Sequence, residues 1–271
     1  MSLKKHLAAT LVATTLTACA LPGNAPDAAA QSELAPTGKM RFGIVYAPEP
    51  SVFFALRDAA GQVRGVTVDL ANDLAARIGR PVEFVVAPNS GQITDALASG
   101  RIDVAFMPID DERRTRVDFG AAYAVGENTY LVSAASGIRA MADVDRPAVR
   151  VIGISGTTTI RSAMRTLKNT TPQPVASVEE ALAMVRDGRA DAFALTHDTL
   201  MALAPRVPGS RILDGAFNRI YTAVAVPKGR PAARTFIANW LEEAKADGTL
   251  QRVLERNGFG AARAVGKGEG I

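Results

Sequence analysis

Three arginines stand together directly after a short apolar segment of the chain. The segment 102–109 is rich in Ile, Val and Phe, which is typical of a buried strand, and Arg113, Arg114 and Arg116 follow it. Open α/β sheets bind ligands at the carboxyl ends of their strands, so a guanidinium at Arg113 is placed to hold a small carboxylate. The alternative is an ordinary solvated basic loop, because exposed arginines are common.

A similar helix and strand occur twice in the chain, in residues 93–110 and 178–198. Each copy contains Ala-Leu-Ala, then a glycine that ends the helix, then Arg-x-Asp and a short apolar strand. Two such copies indicate two α/β lobes, since a solenoid needs several short repeats. We therefore expect the ligand site to lie between two lobes.

The N-terminus is typical of a secretory leader. Lys4 and Lys5 precede an apolar run that is too short to span a bilayer, so we predict a signal peptide over residues 1–18. The only cysteine, Cys19, follows Leu-Thr-Ala, which resembles the lipobox at which bacterial lipoproteins are cleaved and acylated. The alternative is ordinary secretion with cleavage after residues 28–30. In either case no disulfide within the chain is possible.

Composition divides the rest of the chain into a globular part and two flanking segments. Residues 19–38 are rich in Ala, Pro, Gly and Ser, which predicts a tether. Residues 259–271 are rich in Gly, Ala and charged residues, which predicts a disordered tail. The formal net charge of +4 falls further when the leader is removed, which argues against a nucleic-acid partner. We expect a membrane contact only through a lipid on Cys19.

A glycine-threonine turn opens a predicted helix in the second half of the chain. Gly156, Thr157 and Thr158 follow an apolar strand, and the first N–H groups of a helix form a ready site for an anion. The simpler interpretation is helix capping by Thr157 or Thr158, and the two are compatible. The lysine of a phosphate-binding loop is absent.

Aromatic residues and one histidine are further candidates. Phe53 and Phe54 follow the first predicted strand, where they either join the core or form the wall of a cleft. His197 is the only histidine outside the leader, and no acidic, Ser or Cys partner completes a recognisable triad with it. We therefore predict no catalytic residue, no metal site and no cofactor.

Five segments of the chain resemble one protein family. The segments are similar, in order, to motifs of the solute-binding proteins that deliver polar amino acids to ABC transporters, and one of them matches the family's Ile-Thr-x-Glu-Arg followed by Val-Asp-Phe-Ser. They are residues 65–70, 109–119, 156–158, 221–229 and 246–249. The resemblance covers nearly all of residues 39–258.

The resemblance implies an α/β, two-lobe periplasmic-binding-protein fold of type II. Its lobes are joined by two crossing strands, which are expected near residues 123–127 and 221–225. The first lobe would comprise residues 39–124 plus 224–258, and the second lobe residues 125–223. We expect a monomer.

The resemblance also implies the ligand contacts. Arg113 falls on the arginine that holds the ligand α-carboxylate, and carbonyls near Phe106 and Pro108 are within the same cage. Two positions depart from the family: Pro108 replaces a Ser or Thr, and Thr196 replaces an acidic residue that often binds the ligand ammonium. We expect Asp198 to compensate, because an offset of two residues keeps the same face of a strand.

Two functions are consistent with these residues. The first is an extracytoplasmic receptor of an ABC importer, located in the periplasm, which captures an amino acid or related small carboxylate and presents it to the permease. The second is a periplasmic dehydratase or lyase, since the same fold is known to host cyclohexadienyl dehydratases. An enzyme would need an acid or base in the cleft, and His197 and Asp198 are the candidates. We favour the receptor.

Overall fold

The computed structural model describes residues 28–45, 53–87, 89–259 and 264–266. The chain alternates helices and strands. The strands are β1 Met40–Val45, β2 Leu56–Arg57, β3 Val63–Arg64, β4 Val82–Ala87, β5 Val104–Pro108, β6 Val117–Val132, β7 Val151–Ile154, β8 Gln173–Val175, β9 Ala192–Thr196, β10 Arg211–Ile212 and β11 Asn218–Pro227. The helices are α1 Ala28–Leu34, α2 Val66–Ile78, α3 Ser90–Ala98, α4 Asp111–Arg116, α5 Thr158–Thr166, α6 Val178–Arg186, α7 His197–Leu203, α8 Pro231–Ala246 and α9 Thr249–Arg256.

The main sheet consists of two parallel units joined by an antiparallel pair. Its strand order is β4-β1-β5-β11-β6-β9-β7-β8, with β10 paired to β6. β1 runs parallel to β4 and β5, and β7 runs parallel to β8 and β9. β6 and β11 pair with each other antiparallel between these units. The carboxyl ends of the strands in each parallel unit therefore lie together at one edge of that unit. Ligands bind at this edge in open α/β sheets.

The two long strands pass from one core to the other. β6 contributes Tyr123 to a core that contains Phe42 and Trp240, and it contributes Leu131 to a separate core that contains Phe193. In between, Tyr221 pairs with Val125 and Thr222 with Ala124, and the register then shifts. This pairing lies where the resemblance placed the crossing strands; the lobe boundaries themselves stay a prediction.

The Arg-x-Asp repeat has a structural explanation. The Asp103 carboxylate accepts hydrogen bonds from Arg41 N, Nε and Nη2 at 3.0, 2.9 and 2.7 Å. The Asp191 carboxylate accepts the same three bonds from Arg150 at 2.8, 2.9 and 2.6 Å. Each aspartate thus ties the start of its strand to the neighbouring parallel strand, β5 to β1 and β9 to β7. The repeat is a structural brace in both lobes.

The predicted tether is wrong from Ala28 onward. Residues Ala28–Leu34 form α1, whose Ala30 and Leu34 are buried, and Gln31 Nε2 donates to Ile78 O at 3.0 Å. The Glu33 carboxylate accepts from Ala233 N at 2.8 Å. Alanine suits both a flexible linker and a closely packed helix, so composition alone did not distinguish them. The remainder of the predicted tether, the leader and Cys19 lie outside the described residues.

The predicted disordered tail is wrong at two places. The Phe259 ring lies 5.4 Å from that of Phe53. Val265 is buried, and its N–H donates to Tyr123 O at 3.1 Å. Val265 packs with Ala122 and Ala223 of the crossing strands. These contacts bring the C-terminal segment onto the strands that join the two parallel units.

Within the described parts of the chain, no helix combines the length and the apolar character that crossing a membrane requires.

Candidate functional site

A cavity of about 120 Å³ lies between the two parallel units, at the carboxyl ends of their strands. One wall comes from β1, β5, the start of α3 and a nearby phenylalanine, and consists of Val45, Phe54, Asn89, Ser90, Phe106 and Pro108. The opposite wall comes from the ends of β7 and β9 and from α5 to α7, and includes Ile154, Thr157, Thr158, Thr159, Thr196 and Thr199. Val178 and Leu195 add apolar surface to this second wall. Among the described lining residues, the polar groups are hydroxyls and the Asn89 amide.

A second, smaller cavity of about 20 Å³ adjoins the first and shares Phe54, Pro108, Thr196 and Thr199 with it. Asp198 and Phe53 are also in its wall. This space has about the size of one water molecule. It brings the carboxylate of Asp198 next to the residues that line the main cavity.

Arg113 lies directly behind the wall of the main cavity. It is on α4, and its side chain is only 1% exposed. Nη1 donates to Pro108 O at 2.9 Å and Nη2 to Ser90 Oγ at 2.7 Å, so both bonds end on residues of the wall. A guanidinium has five N–H donors, and these two bonds use two of them. Arg113 itself is not among the described residues that line the two cavities.

The charge of Arg113 is retained despite its burial. Burial lowers the pKa of Arg113 to about 10, and the nearby Asp110 carboxylate opposes this shift. The distance from Arg113 Nε to Asp110 Oδ2 is 3.8 Å. A pKa near 10 keeps the guanidinium protonated at neutral pH, so it can still attract an anion.

Asn89 and Ser90 belong to the site, and the sequence reasoning missed them. Asn89 caps α3 by accepting a hydrogen bond from Gln92 N at 3.0 Å, and Ser90 is the first residue of that helix. An Asn directly after a strand and before a helix is an N-cap signature. That signature places both residues at the carboxyl edge of the sheet and could have identified them.

The glycine-threonine turn is a capped helix start that also faces the cavity. Thr157 caps α5 by accepting from Ile160 N at 3.3 Å, which confirms the capping interpretation for this residue. The Thr158 hydroxyl donates to the Asp110 carboxylate, which caps α4 in the other parallel unit. Gly156 has φ 71°, and a Cβ on Gly91 of α3 would lie 3.0 Å from Gly156 O. The two helix starts are thus in close contact across the cavity.

The strand argument for Asp198 is wrong, although the residue does reach the small cavity. β9 ends at Thr196 and α7 begins at His197, so the two-residue period of a strand does not extend to Asp198. Asp198 instead lies in the first turn of α7. Thr196 Oγ1 is hydrogen-bonded to Thr199 Oγ1 at 2.8 Å.

His197 stays apart from the cavity walls described above. Its side chain is 45% exposed, and Nδ1 is 3.9 Å from Asp198 Oδ1, which is too long for a hydrogen bond. In the part of the chain that the structure describes, no three His, Cys, Asp or Glu side chains come together as potential metal ligands.

The phenylalanine pair divides between core and cleft. Phe53 is buried, with its ring 5.1 Å from Phe54 and 6.1 Å from Tyr123. Phe54 contributes to both cavities. Phe106 does both, because it packs on Tyr123 at 4.9 Å and also lines the main cavity.

Two aspartates in the recognised motifs are structural. Asp118 Oδ1 accepts from Lys228 Nζ at 2.9 Å. Asp69 Oδ2 accepts from Asn257 Nδ2 at 2.9 Å and thereby connects α2 to the end of α9. Both contacts lie between elements of the fold.

Known proteins resemble this chain over most of its length. The ABC transporter glutamine-binding protein GlnH of Bacillus subtilis (strain 168) is 23% identical over 252 residues, which cover 89% of this chain and 91% of that protein. The L-cystine-binding protein TcyJ of Escherichia coli (strain K12) is 25% identical over 214 residues, which cover 77% of this chain and 79% of that protein.

A solved structure of an amino acid-binding protein has the same fold as this chain. The ancestral amino acid-binding protein AncCDT-1, a precursor of cyclohexadienyl dehydratase, superposes with a TM-score of 0.71 and 30% sequence identity, covering 83% of this chain and 98% of that chain. The predicted α/β periplasmic-binding fold of type II is thereby confirmed.

A family model described as bacterial extracellular solute-binding proteins, family 3, matches residues 44–260. This range includes β1 to α9 except for the first residues of β1, and therefore both walls of the cavity. The chain belongs to family 3 of the bacterial extracellular solute-binding proteins.

Proposed function

We propose that this protein is the receptor of an ABC importer, and that it captures an amino acid or a closely related small carboxylate in the cavity between its lobes. The observation that carries the proposal is the buried, protonated Arg113 directly behind Ser90 and Pro108 of the cavity wall. The relatives named above are receptors for glutamine and cystine, which supports an amino acid as the ligand class.

The arrangement of the walls supports one orientation of the ligand. Its carboxylate would lie toward Ser90 and Arg113, opposite the start of α5, where Thr158 and Thr159 bring N–H groups and the positive end of a helix dipole. Its ammonium would lie toward Thr196 and Asp198, at the junction of the two cavities. The side chain would then rest against the apolar part of the walls.

Binding of this kind favours closure of the lobes. A ligand that contacts both walls binds the closed state better than the open one, and so shifts the population toward it. A permease that recognises the closed form would then receive only loaded receptor. We propose this mode of action for the chain, with a small-molecule ligand and the permease as its partners.

We further propose that the mature protein is a periplasmic monomer held at the membrane by a lipid on Cys19. The support is the leader and the lipobox-like sequence before this cysteine. Lipid attachment would keep the receptor near the permease. Stable anchoring needs more than one acyl chain, because a single chain binds a membrane only weakly and reversibly.

We propose binding without chemistry. The neighbour named as a dehydratase precursor is itself called an amino acid-binding protein. His197 is half exposed and is 3.9 Å from Asp198, so these two residues do not form the poised acid-base pair that a lyase needs.

An activity assay tests this proposal. Incubation with a cyclohexadienyl substrate should give no product, and measurable turnover would favour the dehydratase or lyase function.

The first experiment is a thermal-shift screen of the ligand-free protein against amino acids, opines and organic acids, followed by calorimetry on each hit. With a hit in hand, Arg113→Ala should weaken binding by roughly 100-fold, about 3 kcal/mol, because the charged partner of the carboxylate is lost. Arg113→Lys keeps a charge but loses the planar fork, so it should weaken binding less.

Arg114→Ala is the matched control for this test. Arg114 is the next residue of α4, it is exposed, and its Cζ lies 5.9 Å from the centre of the Phe119 ring on the protein surface. Binding should be nearly unchanged in this variant. Equal losses in the two alanine variants would mean a diffuse basic surface, and unchanged binding in Arg113→Ala would remove Arg113 from the site.

A further inference from the structure

The starts of α4 and α5 are connected across the cavity by one carboxylate, that of Asp110. Its Oδ1 accepts from Arg113 N at 2.9 Å and thereby caps α4. Its Oδ2 accepts from the Thr158 hydroxyl and from Arg161 Nη2, both on α5. The same Arg161 nitrogen is 3.4 Å from Glu112 Oε2. Asp110 therefore has one oxygen for its own helix and one for the opposite wall.

The contact is an ion pair between a buried carboxylate and a partly buried guanidinium, and it lies next to two cavities. The Asp110 side chain is 3% exposed and that of Arg161 is 22% exposed. Thr158 lines the ligand cavity on one side and, together with Asp110 and Arg165, an outer groove of about 310 Å³ on the other. Thr158, which is hydrogen-bonded to Asp110, thus lies between the ligand cavity and the outer groove.

The two functions of Asp110 depend differently on lobe movement. The cap lies within one helix and is retained whether the cleft is open or closed. The bonds to Thr158 and Arg161 join elements of different parallel units and exist only while these helix starts are together. Opening must therefore break a hydrogen-bonded charge pair whose carboxylate is buried, even when no ligand is present.

The family motif does not supply this pair. In the Ile-Thr-x-Glu-Arg pattern that residues 109–113 resemble, a threonine stands at the position of Asp110. Threonine caps a helix as aspartate does, but it has no charge to pair with an arginine. The carboxylate at this position thus provides something that capping alone does not require.

We propose that Asp110 and Arg161 form a latch between the lobes, which favours the closed arrangement of the ligand-free protein and positions the α5 start against the Arg113 region. The latch contributes to affinity without touching the ligand, because a ligand that binds the closed state binds more tightly when that state is already populated. The effect of the latch on affinity rests on the proposed function, because it requires a ligand. The effect of the latch on closure of the ligand-free protein does not.

The primary test measures the radius of gyration of the ligand-free, non-lipidated mature protein by small-angle X-ray scattering, at low and at high salt. Asp110→Asn and Asp110→Thr keep a capping side chain, so α4 should stay intact, but they also remove the carboxylate that lies 3.8 Å from Arg113 Nε. Arg161→Gln removes the positively charged partner of Asp110, and glutamine is well tolerated in a helix. Each variant should be more expanded than the parent protein and should lose its dependence on salt.

Arg165→Gln is the matched control. It makes the same charge change one turn further along α5, in the outer groove, where no hydrogen bond or ion pair of its guanidinium to a described residue is found. Its radius of gyration should equal that of the parent protein. The double variant of Asp110→Asn and Arg161→Gln should be no more expanded than either single variant, because both remove the same interaction.

Calorimetry with a hit from the ligand screen completes the test. The dissociation constant should rise about tenfold in Arg161→Gln, which leaves the Asp110 carboxylate beside Arg113, and this rise corresponds to a tenfold lower closed population. The two Asp110 variants should lose at least as much. An unchanged radius in the three latch variants, or equal expansion in Arg165→Gln, overturns the latch. Expansion of the latch variants with no ligand found in the screen would support the latch and count against the proposed function, so the two can fail separately.

Discussion

At the scale of single residues, the site depends on a carboxylate that keeps a buried arginine in place. Burial acts to raise the pKa of Asp110, but hydrogen bonds from Thr158, the Arg113 N–H and Arg161 outweigh it, and the net pKa lies below the ordinary value. Asp110 therefore stays ionised at neutral pH and balances the charge of Arg113. Without it, a guanidinium that is 1% exposed would be an unpaired buried charge.

Thr196 and Asp198 differ in what they can offer an ammonium group, and this leads to a prediction. Asp198→Asn should weaken an amine-bearing ligand by roughly 5- to 10-fold, about 1 to 1.4 kcal/mol, because a partly exposed charge pair is lost. Thr196→Ala should have little effect. Calorimetry with an amino acid and with its analogue lacking the amine makes the comparison.

The analogue serves as the control for this prediction. Its binding should be the same in the parent protein and in Asp198→Asn, because it has no ammonium group to pair. If Thr196→Ala gave the larger loss, the ammonium site would belong to Thr196. No loss in either variant would point to a ligand without an amine.

At the scale of elements, the closed cleft depends on two helix starts that approach without side chains. A Cβ at Gly91, in the first turn of α3, would lie 3.0 Å from Gly156 O and 3.1 Å from Asn89 Oδ1. Gly156 has φ 71°, a conformation that favours glycine. The pair of glycines thus lets the backbone of one wall meet that of the other.

We predict opposite effects of Gly91→Ala on stability and on affinity. Alanine suits a helix better than glycine, so the melting temperature should not fall. The added methyl group would meet Asn89 Oδ1 in either state, where the side chain must shift slightly, but it would meet the backbone of Gly156 only in the closed state. That second contact should cost about 1–3 kcal/mol, or roughly 5- to 150-fold in the dissociation constant. Thermal unfolding without ligand and calorimetry with ligand measure the two effects.

Gln92→Ala, at the next residue of α3, provides the comparison. Gln92 is exposed, and its backbone N–H, which remains in the variant, makes the cap bond to Asn89. Affinity should stay at the parent value. A Gly91→Ala variant that bound as tightly as the parent would show that the cleft does not close to the observed distance.

At the scale of the whole molecule, the described parts of both flanking segments pack on the body of the protein. α1 packs on α2 and α8 through Leu34, the Gln31 amide and the Glu33 carboxylate. Val265 packs on the strands that join the two parallel units. If Cys19 is lipidated, each residue between Cys19 and Ala28 can extend the chain by at most about 3.5 Å. This short connection would keep α1 close to the membrane surface.

The proposed anchor gives the prediction at this scale. In cells, the parent protein should partition with membranes, and Cys19→Ala should release it into the soluble fraction, because the acylated sulfur is lost. Mass spectrometry of the N-terminal peptide should show a lipid on Cys19. Mature protein that begins after residue 30, or unchanged partitioning of Cys19→Ala, would instead indicate ordinary secretion.

The sequence by itself determined the family and the alternation of helices and strands, and it led to the proposal that Arg113 binds a carboxylate. These follow from local signals: apolar periodicity, helix caps such as Thr157, and motifs in a fixed order. Val265 and α1 were not predictable in this way, because an alanine-rich segment and a glycine-rich tail obtain their structure from the surfaces they cover. Local composition does not encode those surfaces.

Only the tertiary structure decided which residues meet across the cleft. Asp110 and Arg161 are far apart in the chain, and no local pattern connects a cap on α4 with the first turn of α5. Ser90 and Arg113 meet for the same reason, since each lies at the end of a different strand of one sheet. Contacts between distant segments depend on how the elements pack, and the packing free energy is a property of the whole chain rather than of any one segment.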